Sequence, residues 1–242
     1  MIKPSRLAFV FLIAIVLVGV SDSLRADDWA GWLGTSRDGV YRESGVVDSI
    51  PENGLPIKWR TAISGGYAGP AVADGKVYVF DYKLRSGTAI NDPGQRPQLS
   101  GEERLLCLDA ESGSIVWEYS YDCPYEISYP SGPRATPTVD GERVYILGAQ
   151  GDLTCLATKD GSVIWNRNFP ADFGAEVPVW GFAAHPLVDG DLLFTMVGGD
   201  GQGVVAFDKT SGQVRWKALD VNAGYCAPQI ITAGGKQQLI VF

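Results

Sequence analysis

The chain has 242 residues, 45% hydrophobic and 20% charged, with a formal net charge of -8. That is enough apolar material for a sizeable core, too little charge for wholesale disorder, and no basic face for a nucleic acid. One His and four Cys leave little for a zinc centre, while 30 Gly, 7 Trp and 10 Tyr point to many turns and aromatic-rich strands.

Residues 1–26 read as an export signal. Lys3 and Arg6 precede the apolar run Leu7 to Val20, and small residues follow, with cleavage expected after Ser23 or Ala26. The run is shorter than the roughly 20 apolar residues that span a bilayer. The mature chain is therefore expected to be periplasmic or secreted and to carry no transmembrane segment. Removing Met1 to Ala26 takes away three positive charges and one negative, which leaves a net charge of about -10.

Residues 27–54 read as a lead-in arm. Leu55 to Ile63, with Trp59, reads as the last strand of a blade, and a repeat follows. Pro70-Ala-Val-Ala-Asp-Gly-Lys-Val-Tyr-Val79, Pro137-Thr-Val-Asp-Gly-Glu-Arg-Val-Tyr-Ile146 and Pro186-Leu-Val-Asp-Gly-Asp-Leu-Leu-Phe194 each place Asp-Gly between two apolar runs. That is the strongest short-range hairpin signal, with both turn residues expected at positive φ. A weaker fourth copy starts at Pro228. Each full copy continues into a second hairpin that ends on Trp117, Trp165 or Trp216. Four strands per unit of about 40–50 residues is the period of a propeller blade. The blades are expected at about 64–119, 134–169 and 183–219, with a partial one at 225–242.

The second hairpins, Leu-Asp-x-x-Ser-Gly-x-x-x-Trp in the first blade and close variants in the others, carry a family resemblance. Together with the Pro-x-Val-x-Asp-Gly openings they resemble the pyrroloquinoline quinone (PQQ)-type β-propeller repeat, over about Leu55 to Phe242. The segment Trp29 to Gly39 is similar to the lead-in of secreted bacterial members. The resemblance implies an all-β propeller of four-stranded antiparallel blades, about three and a half of them here. It also implies that Trp59, Trp117, Trp165 and Trp216 dock between neighbouring blades. Since the usual minimum for a closed ring is about four blades, missing blades are expected from a longer parent or a partner chain.

Topology assigns the irregular segments to one face: an insertion from Asp81 to Glu103 and the links Tyr119 to Arg134, Asn168 to Phe182 and Asp220 to Cys226. Loops of this kind carry function. Strand alternation points residues one and three before each opening Pro toward the channel mouth, which singles out Tyr67, Arg134, His185 and Tyr225, with Trp180 nearby. Arg134 would hold an anionic ligand stacked on Tyr67 or Tyr225; otherwise the channel is simply filled with water. His185 has no Asp or Ser partner in sequence that would make it a general base.

Two functions follow from the resemblance. One is a non-catalytic binding or scaffold module of the cell envelope, like the propeller subunit of the outer-membrane assembly machinery. Its partners would be envelope proteins or surface glycans. The other is a fragment of a PQQ-dependent alcohol dehydrogenase with PQQ and Ca²⁺. Against the second, the chain lacks adjacent cysteines. Asp172, Glu176 and Asp200 lie near the right face but form no recognisable calcium set. Cys107 and Cys155 are expected buried as small apolar residues.

Overall fold

The computed structural model describes residues 27–45 and 47–242; the export signal, with Lys3, Arg6 and the Leu7 to Val20 run, lies outside the described residues. The fold is all-β, in three four-stranded antiparallel blades and one hairpin. The first blade holds β1 (Ala71–Ala73), β2 (Lys76–Ser86), β3 (Ser100–Asp109) and β4 (Ile115–Asp122). The second holds β5 (Thr138–Asp140), β6 (Arg143–Leu147), β7 (Asp152–Ala157) and β8 (Val163–Asn168). A five-residue helix, α1 (Phe169–Phe173), leads to the third: β9 (Leu187–Asp189), β10 (Leu192–Met196), β11 (Val204–Asp208) and β12 (Val214–Ala218). The hairpin is β13 (Gln229–Ala233) and β14 (Lys236–Ile240). No helix among the described residues is long and apolar enough to cross a membrane.

The blades repeat in register as well as in order. Tyr78 pairs with Cys107 and Cys107 with Trp117; Tyr145, Cys155 and Trp165 align the same way, as do Phe194, Ala206 and Trp216. The ladder shifts immediately after Cys107, Cys155 and Ala206, a bulge placed identically in each blade. The core lies between blades. One cluster joins Tyr78, Phe80 and Leu105 to Val144 and Ile146; the next joins Leu153 and Phe169 to Leu193 and Phe207.

Three of the four tryptophans lock these layers. The indole N–H of Trp59 donates to Ala110 O, that of Trp117 to Thr158 O and that of Trp165 to Lys209 O, at 2.9, 3.1 and 3.1 Å. Each ring lies on the turn glycine of the next blade, where a Cβ on Gly113, Gly161 or Gly212 would stand about 2.5–2.6 Å from the indole. All three glycines have φ near +70°, so turn shape and ring docking both demand the missing side chain. Trp216 stays 39% exposed, its ring against Phe194 at 5.7 Å.

Four expectations need correction. Leu55 to Ile63 forms no strand; it is held to the first blade by Trp59 and by the Thr61 hydroxyl donating to Gly113 O. The Asp81 to Glu103 insertion is largely an extension of β2 and β3, leaving only 87–99 as its tip. The Asp-Gly turns come in two kinds. In the first blade Asp74 and Gly75 both have positive φ, but in the second and third, of equal length, the Asp-Gly pair stands one position closer to the opening Pro. There Asp140 and Asp189 are paired in the strand, and the loops are Gly141-Glu142 and Gly190-Asp191 with only glycine at positive φ. Moving Asp-Gly one position toward the opening Pro, with no change in hairpin length, converts a type I′ turn into a type II′ pattern.

The fourth correction concerns the space inside the inner strands, which is filled by the arm rather than by water alone. Trp29 forms a two-bond antiparallel bridge with Val72 of β1. Ala30 O accepts from Val139 N–H of β5 at 2.7 Å. Arg37 donates to Pro186 O before β9 and Pro228 O before β13, at 3.2 and 3.1 Å. The arm thereby covers inner edges that the blades leave unpaired and touches all four sheets.

Candidate functional site

The irregular segments meet on one face, as topology requires. Tyr67 and Ala68 both donate backbone N–H groups to Pro133 O, which sets the entry to the first blade against the entry to the second. The tip of the insertion is tied down by the Ser128 hydroxyl, donating to Pro93 O and Gln95 O. Ser128 N–H donates to Val179 O, joining the link after the first blade to the link after the second.

This cross-bracing gathers aromatic rings. The Arg134 guanidinium lies 5.1 Å over the Tyr67 ring. Trp180 has Tyr225 at 4.9 Å and Tyr129 at 6.4 Å between ring centroids, and its backbone N–H donates to the Tyr225 hydroxyl at 3.4 Å. Tyr67, Trp180 and Tyr225 remain 46%, 44% and 38% exposed. Tyr67, Tyr129, Arg134 and Trp180 line an open cavity of about 340 Å³. Beside it runs a groove of about 740 Å³, lined by Arg96, Glu176, Asp200, Asn222 and Tyr225 among others.

Of the residues singled out in the sequence, Tyr67, Arg134, Trp180 and Tyr225 come together. The role read for Arg134 is narrowed, because three of its five N–H donors are already used. Its guanidinium donates to the carbonyls of Gly132, Ser128 and Tyr129, and burial pulls its pKa below the usual value. It shapes the loop, and its Nη2 has both donors committed to backbone carbonyls.

His185 lies elsewhere. Its ring stacks on Trp32 of the arm at 5.0 Å, and its Nδ1 accepts from Thr136 N–H at 2.8 Å. Arg37 sits on the other partner, 5.5 Å from the Trp32 ring. Burial, and then the nearby Arg37 charge, hold His185 at about 4. The imidazole is neutral and structural, drawn under the arm because Trp32 offers it a stacking face.

Tyr129 was missed. It sits five residues before Arg134 at φ 51°, off the alternating strand positions, in a Tyr-Pro-Ser-Gly-Pro stretch whose turn residues were the available signal. A buried polar cluster was missed too. Glu103 accepts from the Tyr121 and Tyr125 hydroxyls and from Ala149 N–H, and burial raises its pKa despite these donors. Asp81 is paired with Arg104 at 2.8 Å. Both carboxylates brace the extended first blade.

No site for PQQ with Ca²⁺ is shown among the described residues. Asp172 accepts from Asn168 N–H at the start of α1. Glu176 and Asp200 line the groove, and no group of three acidic, His or Cys side chains able to hold a metal occurs among the described residues. Cys107, Cys123 and Cys155 are buried and Cys226 exposed, all as free thiols.

No curated protein matches the chain. Among solved structures, BamB from Moraxella catarrhalis shares 19% identity over 61% of this chain and 44% of its own, with a TM-score of 0.40. A europium-containing methanol dehydrogenase shares 17% over 67% and 26%, at 0.41. The quinohemoprotein alcohol dehydrogenase from Comamonas testosteroni shares 17% over 63% and 21%, at 0.41. The chain thus spans between about a fifth and under half of the length of these structures. The family model described as outer membrane protein assembly factor BamB matches residues 101–241. The chain belongs to that PQQ-type β-propeller family.

Proposed function

We propose that this chain is an exported, non-catalytic binding or scaffold module of the cell envelope, working through the aromatic mouth. The observation that carries this reading is the cluster of half-exposed Tyr67, Trp180 and Tyr225 on cross-braced loops. Such rings present large contact area at small cost in conformational entropy. The single His is half-buried under the arm, and the one Arg at the mouth has most of its donors engaged, so the cluster offers contact more than proton transfer. The family description, an outer membrane assembly factor, supports a binding role in the envelope.

The test is to add PQQ and Ca²⁺ to the purified protein and follow absorbance, fluorescence and dye-linked alcohol oxidation. No stoichiometric uptake and no oxidation are expected. Stoichiometric uptake with turnover would replace this reading with a dehydrogenase one.

A further inference from the structure

The mouth and the groove beside it differ in chemistry and meet where Tyr225 of the groove packs against Trp180 of the mouth. The mouth is aromatic, and its one charge is committed to backbone carbonyls. The groove carries both signs of charge and an amide. The Arg96, Glu176 and Asn222 side chains line it and are exposed, with no hydrogen bond or ion pair to any other described residue. At about 740 Å³ it falls within the range of small-molecule sites.

A peptide anchor fits this combination poorly. Interface cores are depleted of charge, and a stable protein interface covers about 800 Å² per partner, well beyond a few clustered rings. A hydroxyl-rich pyranose fits better. One face of such a ring carries polarised C–H groups that rest on the electron-rich face of an indole or phenol. Its edge carries hydroxyls that both donate and accept, as an amide, a carboxylate and a guanidinium require. The net charge of -8 disfavours a polyanionic ligand.

We propose that mouth and groove together bind a short neutral oligosaccharide, with one sugar ring stacked on Trp180 and a neighbouring ring held by Asn222, Glu176 and Arg96. This rests on the reading of the chain as a binding module and names its ligand class.

The experiment titrates the full chain with maltotetraose, cellotetraose and chitotetraose, following tryptophan emission and calorimetric heat. At least one sugar should give saturable binding at millimolar concentration or below. Trp180→Ala should weaken it about tenfold, the loss of one stacking contact. Asn222→Ala should weaken it with no change in melting temperature, which separates loss of the site from loss of the fold. Absence of saturation with all three sugars, or binding indifferent to both substitutions, overturns the proposal. Trp180-dependent capture of aromatic peptides without sugar binding overturns the ligand class and leaves the binding reading standing. PQQ uptake with turnover removes the reading beneath it.

Discussion

In each blade a small residue stands between two rings: Cys107 between Tyr78 and Trp117, Cys155 between Tyr145 and Trp165, Ala206 between Phe194 and Trp216. The third blade shows that sulfur is dispensable there, and that size is what counts. Cys155→Ala is expected to fold normally, whereas Cys155→Leu should cost about 1–3 kcal/mol by overpacking; urea unfolding of both decides it. Burial also raises the Cys107 and Cys155 thiols to about 11 and 12. A thiol reagent should therefore label Cys226 quickly in the native protein and all four cysteines only after unfolding. Rapid labelling of a second thiol would contradict the burial pattern. His185 gives a pH signature. Its pKa is about 4 folded against about 6.5 unfolded, so between these values the unfolded chain binds the extra proton. Stability is then complete above about pH 6.5 and falls as pH drops toward 4, by roughly 3 kcal/mol. His185→Gln keeps an acceptor for Thr136 without the titration. Its stability curve should be flatter across this window than that of the parent, and parallel curves would refute the assignment.

Elements are joined by docking tryptophans, and the three docked indoles differ from the fourth in a measurable way. Trp117→Phe and Trp165→Phe each lose an N–H bond to a turn carbonyl and part of an inter-blade contact, at about 1–3 kcal/mol. Trp216→Phe, at a half-exposed ring, should stay within about 0.5 kcal/mol. Equal losses at Trp117 and Trp216 in denaturant titrations would show that docking contributes little. These elements were legible because their signals are local. Asp-Gly pairs, alternating apolar residues and a Trp at fixed spacing lie within a few residues of the strands they set. Less legible were features depending on a one-position shift, such as the turn at Gly141-Glu142, where the strand pairing takes in Asp140. Strand length was also misjudged after Asp81. The reason is that Asp81 and Glu103 look like loop acids, yet Arg104 and the Tyr121 and Tyr125 hydroxyls let them be buried inside a ladder.

At the scale of the molecule, the candidate site was half legible. Alternation before each Pro found Tyr67, Arg134 and Tyr225, but it could not see that Arg134 would turn back onto its own loop. Nor could it find Tyr129, held by a loop conformation. The path of the arm left no trace in any repeat, because backbone carbonyls receive Arg37 and carry no residue code. Arg37→Ala should loosen the hairpin of β13 and β14 first, since one of its bonds ends on Pro228 and Gln229 returns another to Arg37 O. Amide hydrogen exchange over residues 229–240 should quicken more than in β6 and β7; uniform change would show that the arm is only a passive filler. The arm also imposes an order in time. Its bonds close loops of 149 and 191 residues. At synthesis rates of about 5–20 residues per second, Pro228 is made roughly 10–40 s after Arg37. Among the first of the described segments to be made, the arm can complete its contacts only after the blades, and until then Trp32, His185 and the bare inner strand edges share the same exposure. Such long closures make for slow folding, so the interval before the arm docks is when this chain is most open to pairing with the wrong strand.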